Sequence, residues 1–347
     1  MIKQRSTVYR VGMVGTGYMA RRHAEVLVAH PRVECLALCH TPRSAAVARE
    51  WQGQYGFRLV PSTYEELLGT PGIDVVWICS PNHLHFEQAR LALEAGKHVF
   101  CEKPLALSAV QAAHLTRLAN SRGRMLAVGM NCRFRKPYTA AKEQATRLGR
   151  LLLIRGTYLY NSEQTIREGQ KPWWLDVSNH PLLLTSGLLH TLDLMVWFGG
   201  EVTTVTALGS SRALGGVVGE DTLVIGLQFD SGALGELIAS FVTVCPNDMT
   251  VDVYGEAGSV IANHLIVRSE NQFQQTHLDI AQPVIDLQLQ LENIIGALDG
   301  NAALVNNADR AARNLCICES IQNALTSGSA VRVDYEKVKQ YYGNSFS

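Results

Sequence analysis

Charge of one sign is missing from this sequence: Lys plus Arg number 31 and Asp plus Glu number 31, a formal net charge of zero at pH 7. That balance removes the electrostatic argument for a general nucleic-acid or membrane surface. Long apolar runs are missing too, and no stretch is long enough to span a bilayer. The N-terminus, Met1-Ile2-Lys3-Gln4-Arg5-Ser6-Thr7, lacks the apolar core and small-residue cleavage site of a signal peptide, so a cytoplasmic protein is expected. Charged residues make up only 18% against 47% hydrophobic, which excludes the polar composition of disordered chains, and there is no repeat or low-complexity linker. The eight cysteines mostly sit in apolar strand-like runs, where a thiol acts as a small hydrophobe, and no disulfide framework is expected. No metal site is expected either. Cys316 and Cys318 point to different faces of one helix, and the His83-x-His85 pair has no third ligand at a useful spacing.

With 347 residues the chain has room for two cores. From Arg10 to about Met130, short β-rich runs alternate with amphipathic helices, the pattern of βαβ units around a parallel sheet. Strands are expected at Val11–Val14, Val33–Cys39, Val75–Cys79, His98–Cys101 and Met125–Gly129, with helices between them at Leu84–Ala95 and Ala109–Ser121. After a helical segment near 138–148 the texture changes to longer strands: Leu151–Tyr160, Val202–Leu208, Thr222–Phe229, Leu234–Val242 and Thr250–Tyr254. These read as an antiparallel sheet, interrupted by an apolar helix over 181–198 and closed by helices near 284–298 and 308–325. The expectation is an α/β chain. Residues 1–130 form a doubly wound parallel sheet, and residues 131–347 an α+β domain with a large, mostly antiparallel open sheet. The C-terminal helices are free to pack back on the first domain, and a ligand is expected in the cleft between the two.

Gly15-Thr16-Gly17-Tyr18-Met19-Ala20 places G-x-G-x-x-A at the turn from the first strand into a helix. Gly15 permits the tight turn, Gly17 lets the backbone approach a pyrophosphate, and small Ala20 lets the helix pack closely, with the phosphates at the helix N-terminus. Glycines at such turns often do no more than fit the turn. The βαβ setting favours dinucleotide binding, and with it a Rossmann domain. At the end of the second strand, where an NAD site usually places Asp or Glu on the ribose, the run is His40-Thr41-Pro42-Arg43-Ser44. No carboxylate stands there. Arg43 suits a 2′-phosphate, so NADP is favoured over NAD, although an arginine opening a helix is commonly a solvated charge.

Three more segments stand out: Ser80-Pro81-Asn82-His83-Leu84-His85, then Gly96-Lys97-His98-Val99-Phe100-Cys101-Glu102-Lys103-Pro104, then Asn131-Cys132-Arg133-Phe134. With the glycine turn they resemble, across essentially the whole chain, the glucose-fructose oxidoreductase, inositol dehydrogenase and MocA family. The Glu-Lys-Pro motif is the most specific signature. The resemblance implies a nicotinamide-dependent dehydrogenase acting on a secondary hydroxyl of a sugar, cyclitol or nucleotide-linked sugar, with Lys103 as a catalytic residue. A lysine at a strand's carboxyl edge can hydrogen-bond a substrate oxygen and stabilise charge developing on it. Gly15, Gly17, Tyr18, Met19, Ala20, His40, Arg43, Ser80, Pro81, Asn82, His85, Glu102, Lys103 and Asn131 are the expected cofactor residues.

In Leu184-Thr185-Ser186-Gly187-Leu188-Leu189-His190-Thr191-Leu192-Asp193, His190 matches the family's catalytic histidine, a proton carrier near neutral pH with an ordinary pKa of ~6.5. A lone histidine on an apolar helix is more often a core residue, so this role rests on the resemblance. The chain departs from the pattern at Ser186, where many members carry aspartate. Asp193 is then a candidate to orient His190. Arg133, Tyr160, Trp173, Trp174, Ser186 and Asp193 are further substrate candidates, the aromatic faces being suited to sugar rings but equally to a core. Two other readings stay open: a redox-neutral enzyme with a tightly held cofactor, and a dinucleotide-binding sensor or repressor. The resemblance also implies a homodimer or homotetramer, and the balanced charge leaves no nucleic-acid partner expected.

Overall fold

The computed structural model describes residues 7–162, 168, 183–212, 219–269, 272–278 and 283–341. The chain forms two compact units, the first of Met1–Ala106, Gln111–Asn131 and Pro283–Ala311, the second of Leu107–Val110, Cys132–Gln282 and Ala312–Ser347.

In the first unit, β1 (Tyr9–Val14), β2 (Val33–Cys39), β3 (Val75–Ile78), β4 (His98–Cys101) and β5 (Leu126–Val128) make a parallel sheet in the order β2-β1-β3-β4-β5. Its strands are nearly continuous apolar runs because both faces are covered. The chain includes helices α1 (Tyr18–Ala29), α2 (Ala45–Tyr55), α3 (Tyr64–Gly69), α4 (His85–Glu94) and α5 (Ala109–Ser121). Every strand lies within two residues of its expected place. Outside β2, Leu59 adds one parallel bridge to Ala37. The winding reverses between β1 and β3, and beyond their paired C-terminal ends lies the crevice position where open α/β sheets take ligands. The helix Pro283–Leu298 belongs to this unit: Leu287, Leu291, Ile294 and Ile295 join Ala20, Ala24 and Leu27 of α1 in one apolar core. The edge of β5 is covered, with Val128 N–H donating to Asn306 O at 3.0 Å and Gln290 Nε2 to Val128 O at 3.2 Å.

In the second unit, α6 (Lys136–Glu143) precedes β6 (Leu151–Leu159), and α7 (Leu189–Gly199) precedes β7 (Val202–Ser210). Then follow β8 (Thr222–Phe229), β9 (Leu234–Ser240), β10 (Asp248–Gly255), β11 (Gly258–Ile261), β12 (His264–Ser269), β13 (Gln272–His277) and β14 (Val331–Arg332). The sheet runs β13-β12-β11-β10-β6-β9-β8-β7-β14, antiparallel except for the parallel pair β6 and β9. One face is apolar and covered: β8 buries Leu223, Ile225, Leu227 and Phe229, and Gly156 of β6 leaves room for Met195 and Thr191 of α7. The other face carries exposed Leu153, Leu208, Val224 and Leu234.

Two features depart from the sequence reading. The sheet extends beyond the expected strands through β11, β12 and β13; β13, Gln-Phe-Gln-Gln-Thr-His, is exposed at all six positions and so lacks the apolar alternation that marks a strand. The helix expected over 181–198 is, within its described part, a π-turn at Leu183–Gly187 followed by α7, because Leu188 N–H donates to Leu183 O five residues back, at 2.9 Å. Among the described residues no helix is long and apolar enough to cross a membrane.

Candidate functional site

The glycine turn lies at the crevice. Gly15 has φ +103°, and a Cβ there would stand 2.5 Å from the carbonyl oxygen of Cys79 just past β3, so the two strand ends meet only because this residue is glycine. Gly17 opens α1 as its N-cap without a side-chain cap, and nothing lies within 4 Å of where its Cβ would be. The first backbone N–H groups of α1 thus have no side-chain cap and the space beside Gly17 is open, the arrangement that accepts phosphate oxygens. Ala20 is fully buried, Met19 half-buried and Tyr18 exposed. These residues fit a dinucleotide.

At the end of β2, Pro42–Ser44 form a 3-10 turn locked by reciprocal hydrogen bonds between Thr41 and Ser44, which leaves Arg43 exposed beside half-buried His40. His40 Nδ1 sits 2.9 Å from Thr41 O. Glu66 interacts electrostatically with His40, but its carboxylate already accepts from Ser62 N at 2.8 Å and Thr63 N at 3.3 Å in the cap of α3. Those hydrogen bonds hold Glu66 below the usual carboxylate range.

Lys103 stands two residues past the end of β4 and is half-buried; the peptide joining it to Pro104 is cis. Its neighbour Glu102 is buried, and its oxygens meet His23 Nε2 of α1 at 2.8 Å and the Lys103 backbone N–H at 3.1 Å. Burial pushes the Glu102 carboxyl up, but the hydrogen bond and attraction of His23, the Lys103 charge and the Lys103 N–H together bring it below the ordinary value. In the segment after β3, Ser80 Oγ donates to Gln88 Oε1 at 2.6 Å, Pro81 is half-buried and Asn82 buried. His85, expected to face the cofactor, is only 1% exposed, with Nδ1 2.6 Å from Pro104 O and Nε2 2.8 Å from Ser80 O. Burial pulls its pKa down. Asn131, half-buried, opens the short turn Asn131–Phe134 after β5.

In the second unit, Arg133 and Asp193 form a buried bidentate pair, Nε to Oδ2 at 2.6 Å and Nη2 to Oδ1 at 2.8 Å, and Asn314 Nδ2 donates to Oδ1 at 2.7 Å. The Asp193 carboxylate thus accepts hydrogen bonds from Arg133 and Asn314. His190 is half-buried near the start of α7, and Ser186 belongs to the π-turn before it, so the regular one-turn spacing expected between them is not kept. Gly187 lets Phe241 come close, since its Cβ would stand 2.9 Å from that ring. Tyr160, just past β6, stacks on Tyr158 with centroids 4.4 Å apart, and burial raises its pKa. Trp173 and Trp174 lie outside the described residues. The sequence reading did not single out His23 or Asn314; a histidine within the buried stripe Ala20, His23, Ala24, Leu27 was the available signal for the first.

A parallel sheet with a glycine turn fitted to a dinucleotide, followed along the chain by a large mostly antiparallel sheet, defines a two-domain nicotinamide-dependent oxidoreductase. Residues 9–130 match the family model described as the oxidoreductase family with NAD-binding Rossmann fold, and residues 139–261 match the GFO/IDH/MocA C-terminal domain. The chain belongs to the GFO/IDH/MocA family of oxidoreductases. It is 28% identical over 301 residues to levoglucosan dehydrogenase of Pseudarthrobacter phenanthrenivorans, covering 73% of each chain. It is 27% identical over 349 residues to inositol 2-dehydrogenase 1 of Saccharopolyspora erythraea, covering 96% of this chain and 99% of that one. A solved structure of levoglucosan dehydrogenase in complex with NADH has the same fold, with a TM-score of 0.84 at 24% identity, over 94% of this chain and 100% of that one.

Proposed function

We propose that this oxidoreductase carries hydride to or from a carbon bearing a secondary hydroxyl in a sugar or cyclitol, with Lys103 as the residue that handles the reacting oxygen. The observation that supports this reading is the place of Lys103: it leaves the carboxyl end of β4, and Glu102 N–H donates at 2.9 Å to Ile78 O at the end of β3, whose continuation Cys79 packs on Gly15. Lysine, glycine turn and strand ends therefore belong to one edge of one sheet. When bound, the nicotinamide would supply the hydride acceptor or donor. The Lys103 ammonium donates a hydrogen bond to the substrate oxygen and stabilises negative charge on it. His190 takes the hydroxyl proton, a role carried by the family resemblance. The names of the relatives support the substrate class.

NADP is the proposed preferred cofactor, because Arg43 is exposed at the end of β2 and the neighbouring Glu66 carboxylate is committed to its helix cap. Residues 1–130, joined by the returning segment Pro283–Ala311, act as the dinucleotide-binding domain, and the rest of 131–347 as the substrate and oligomerisation domain. The exposed leucines on the open sheet face favour a homodimer or homotetramer formed through it.

The test is a thermal-shift comparison of NAD, NADH, NADP and NADPH at equal concentration, because a ligand at a hundred times its Kd stabilises by ~2.7 kcal/mol. The larger shift is expected with NADP(H) and should be lost in Arg43→Ala. A panel containing levoglucosan, myo-inositol and simple glucosides then identifies the substrate, and Lys103→Ala should be inactive on it while still binding the dinucleotide. Equal shifts by all four dinucleotides would remove the NADP preference. An active Lys103→Ala would remove the catalytic role.

A further inference from the structure

Lys103 stands between Glu102 and Pro104, and each of these neighbours is gripped by a buried histidine from a different helix. On one side, His23 of α1 holds one oxygen of Glu102 at 2.8 Å, and the other oxygen accepts the backbone N–H of Lys103 itself at 3.1 Å. That carboxylate has little freedom. His23 is wedged edge-on against Trp77 and Phe100, with centroids 5.5 and 4.9 Å away, and Gly129 lies so close that its Cβ would stand 2.7 Å from the carboxyl carbon of Glu102. On the other side, His85 at the start of α4 brings Nδ1 to 2.6 Å from the Pro104 carbonyl and Nε2 to 2.8 Å from the Ser80 carbonyl. A neutral imidazole has one N–H, so one of these two contacts is its hydrogen bond, and the shorter is to Pro104.

Burying a polar ring is costly unless it is hydrogen-bonded, and an apolar side chain would fill either place without that cost. The two imidazoles are therefore better explained by what they hold than by the core they occupy. We infer that His23 and His85 are positioning residues for Lys103, fixing the backbone on both sides of it through Glu102 and Pro104 and so setting where its ammonium reaches. The value of this lies in geometry: a misplacement of about 1 Å at a reacting group costs on the order of a hundredfold in rate. The inference rests on the reading of Lys103 as catalytic, but the clamp itself is a property of the fold and can be tested apart from turnover.

The test uses a reversal built into the two contacts. The amide nitrogen of asparagine falls where imidazole Nδ1 stands, and that of glutamine where Nε2 stands. His23→Gln therefore keeps the donor to Glu102 and His23→Asn withdraws it; at the second site His85→Asn keeps the contact with Pro104 and His85→Gln loses it. The lysines of the full chain are reductively methylated with 13C-formaldehyde, and the Lys103 signal is the one absent from Lys103→Arg. In His23→Asn and His85→Gln that signal should shift and broaden, in His23→Gln and His85→Asn it should stay near the wild-type position, and the Lys97 signal should serve as a fixed reference in all four. With the sugar selected by the panel above, kcat of the first two should fall by roughly tenfold to a hundredfold with little change in the KM for the dinucleotide. A role confined to filling the core would rank asparagine and glutamine in the same order at both sites, and that result, or a Lys103 signal indifferent to all four changes, overturns the inference. Should one variant fail to fold, the remaining three decide by whether the Lys103 signal moves only where the donor is withdrawn. An active Lys103→Ala would sink the catalytic reading of Lys103 while the order of the signals still decides on the clamp.

Discussion

In each unit of the molecule a buried, hydrogen-bonded pair of polar side chains lies beside a proposed catalytic residue, and the two pairs are built differently. In the first, His23 and Glu102 share a single hydrogen bond, and the second carboxylate oxygen goes to the backbone of Lys103. In the second, Arg133 grips both oxygens of Asp193, Asn314 adds a third donor, and the guanidinium lies over the Trp197 ring at 5.5 Å. Asp193 is three residues past His190 on the same helix. The first pair leaves one oxygen to govern a neighbouring residue. The second uses both oxygens to tie α7 to Arg133 in the turn Asn131–Phe134 and to Asn314 in the helix Ala308–Ser327, so it holds a helix down.

The largest effect expected from this contrast is at Asp193. Asp193→Ala leaves a guanidinium buried without its counter-ion, and removing one member of a buried pair costs about 3–5 kcal/mol. Urea unfolding should show that loss, with Asp193→Asn falling between because it keeps the shape and two acceptor sites. Gly129→Ala should cost less, about 1–3 kcal/mol, as an overpacked core does. Its methyl group can enter only by moving the Glu102 carboxylate, 2.7 Å away, off His23. The same variant should therefore disturb Lys103 more than its stability loss suggests, seen as a fall in kcat larger than that of Asp193→Asn. If Gly129→Ala proves the more destabilising of the two, the distinction between an anchoring pair and a positioning pair fails.

The parallel sheet was legible because burial on both faces writes itself as unbroken apolar runs such as Val75-Val76-Trp77-Ile78, and the glycine turn because only glycine fits Gly15. β13 was not, since a strand exposed on both faces carries no periodic signal. Within the site, the sequence located Glu102, Lys103 and His85 at the correct edge but could not say which way their side chains turn. Glu102 and His85 sit in the motif that implies cofactor contact, yet both point their polar atoms into the protein. The Arg133–Asp193 pair joins residues sixty positions apart, and no local pattern announces such a partner.

The smallest expected effect separates the two members of the Lys103 clamp by pH. Burial lowers the pKa of His85 from the ordinary 6.5, so below that value the unfolded chain takes up a proton that the folded protein resists. Stability should therefore rise with pH between the lowered value and 6.5 and level off above it. His98, also lowered by burial and by Arg124, adds to the same limb. Glu102 works further down: its folded pKa lies below the ordinary 4.5, so its contribution is complete above 4.5 and is lost as the pH falls through the folded value. Urea midpoints followed by tryptophan fluorescence from about pH 2 to 8 should then show two acid steps in wild type. His85→Asn should flatten the upper step and leave the lower, and Glu102→Gln should do the reverse. If both variants flatten the same step, the two groups titrate as one unit, and the clamp is a single coupled network rather than two independent grips on either side of Lys103.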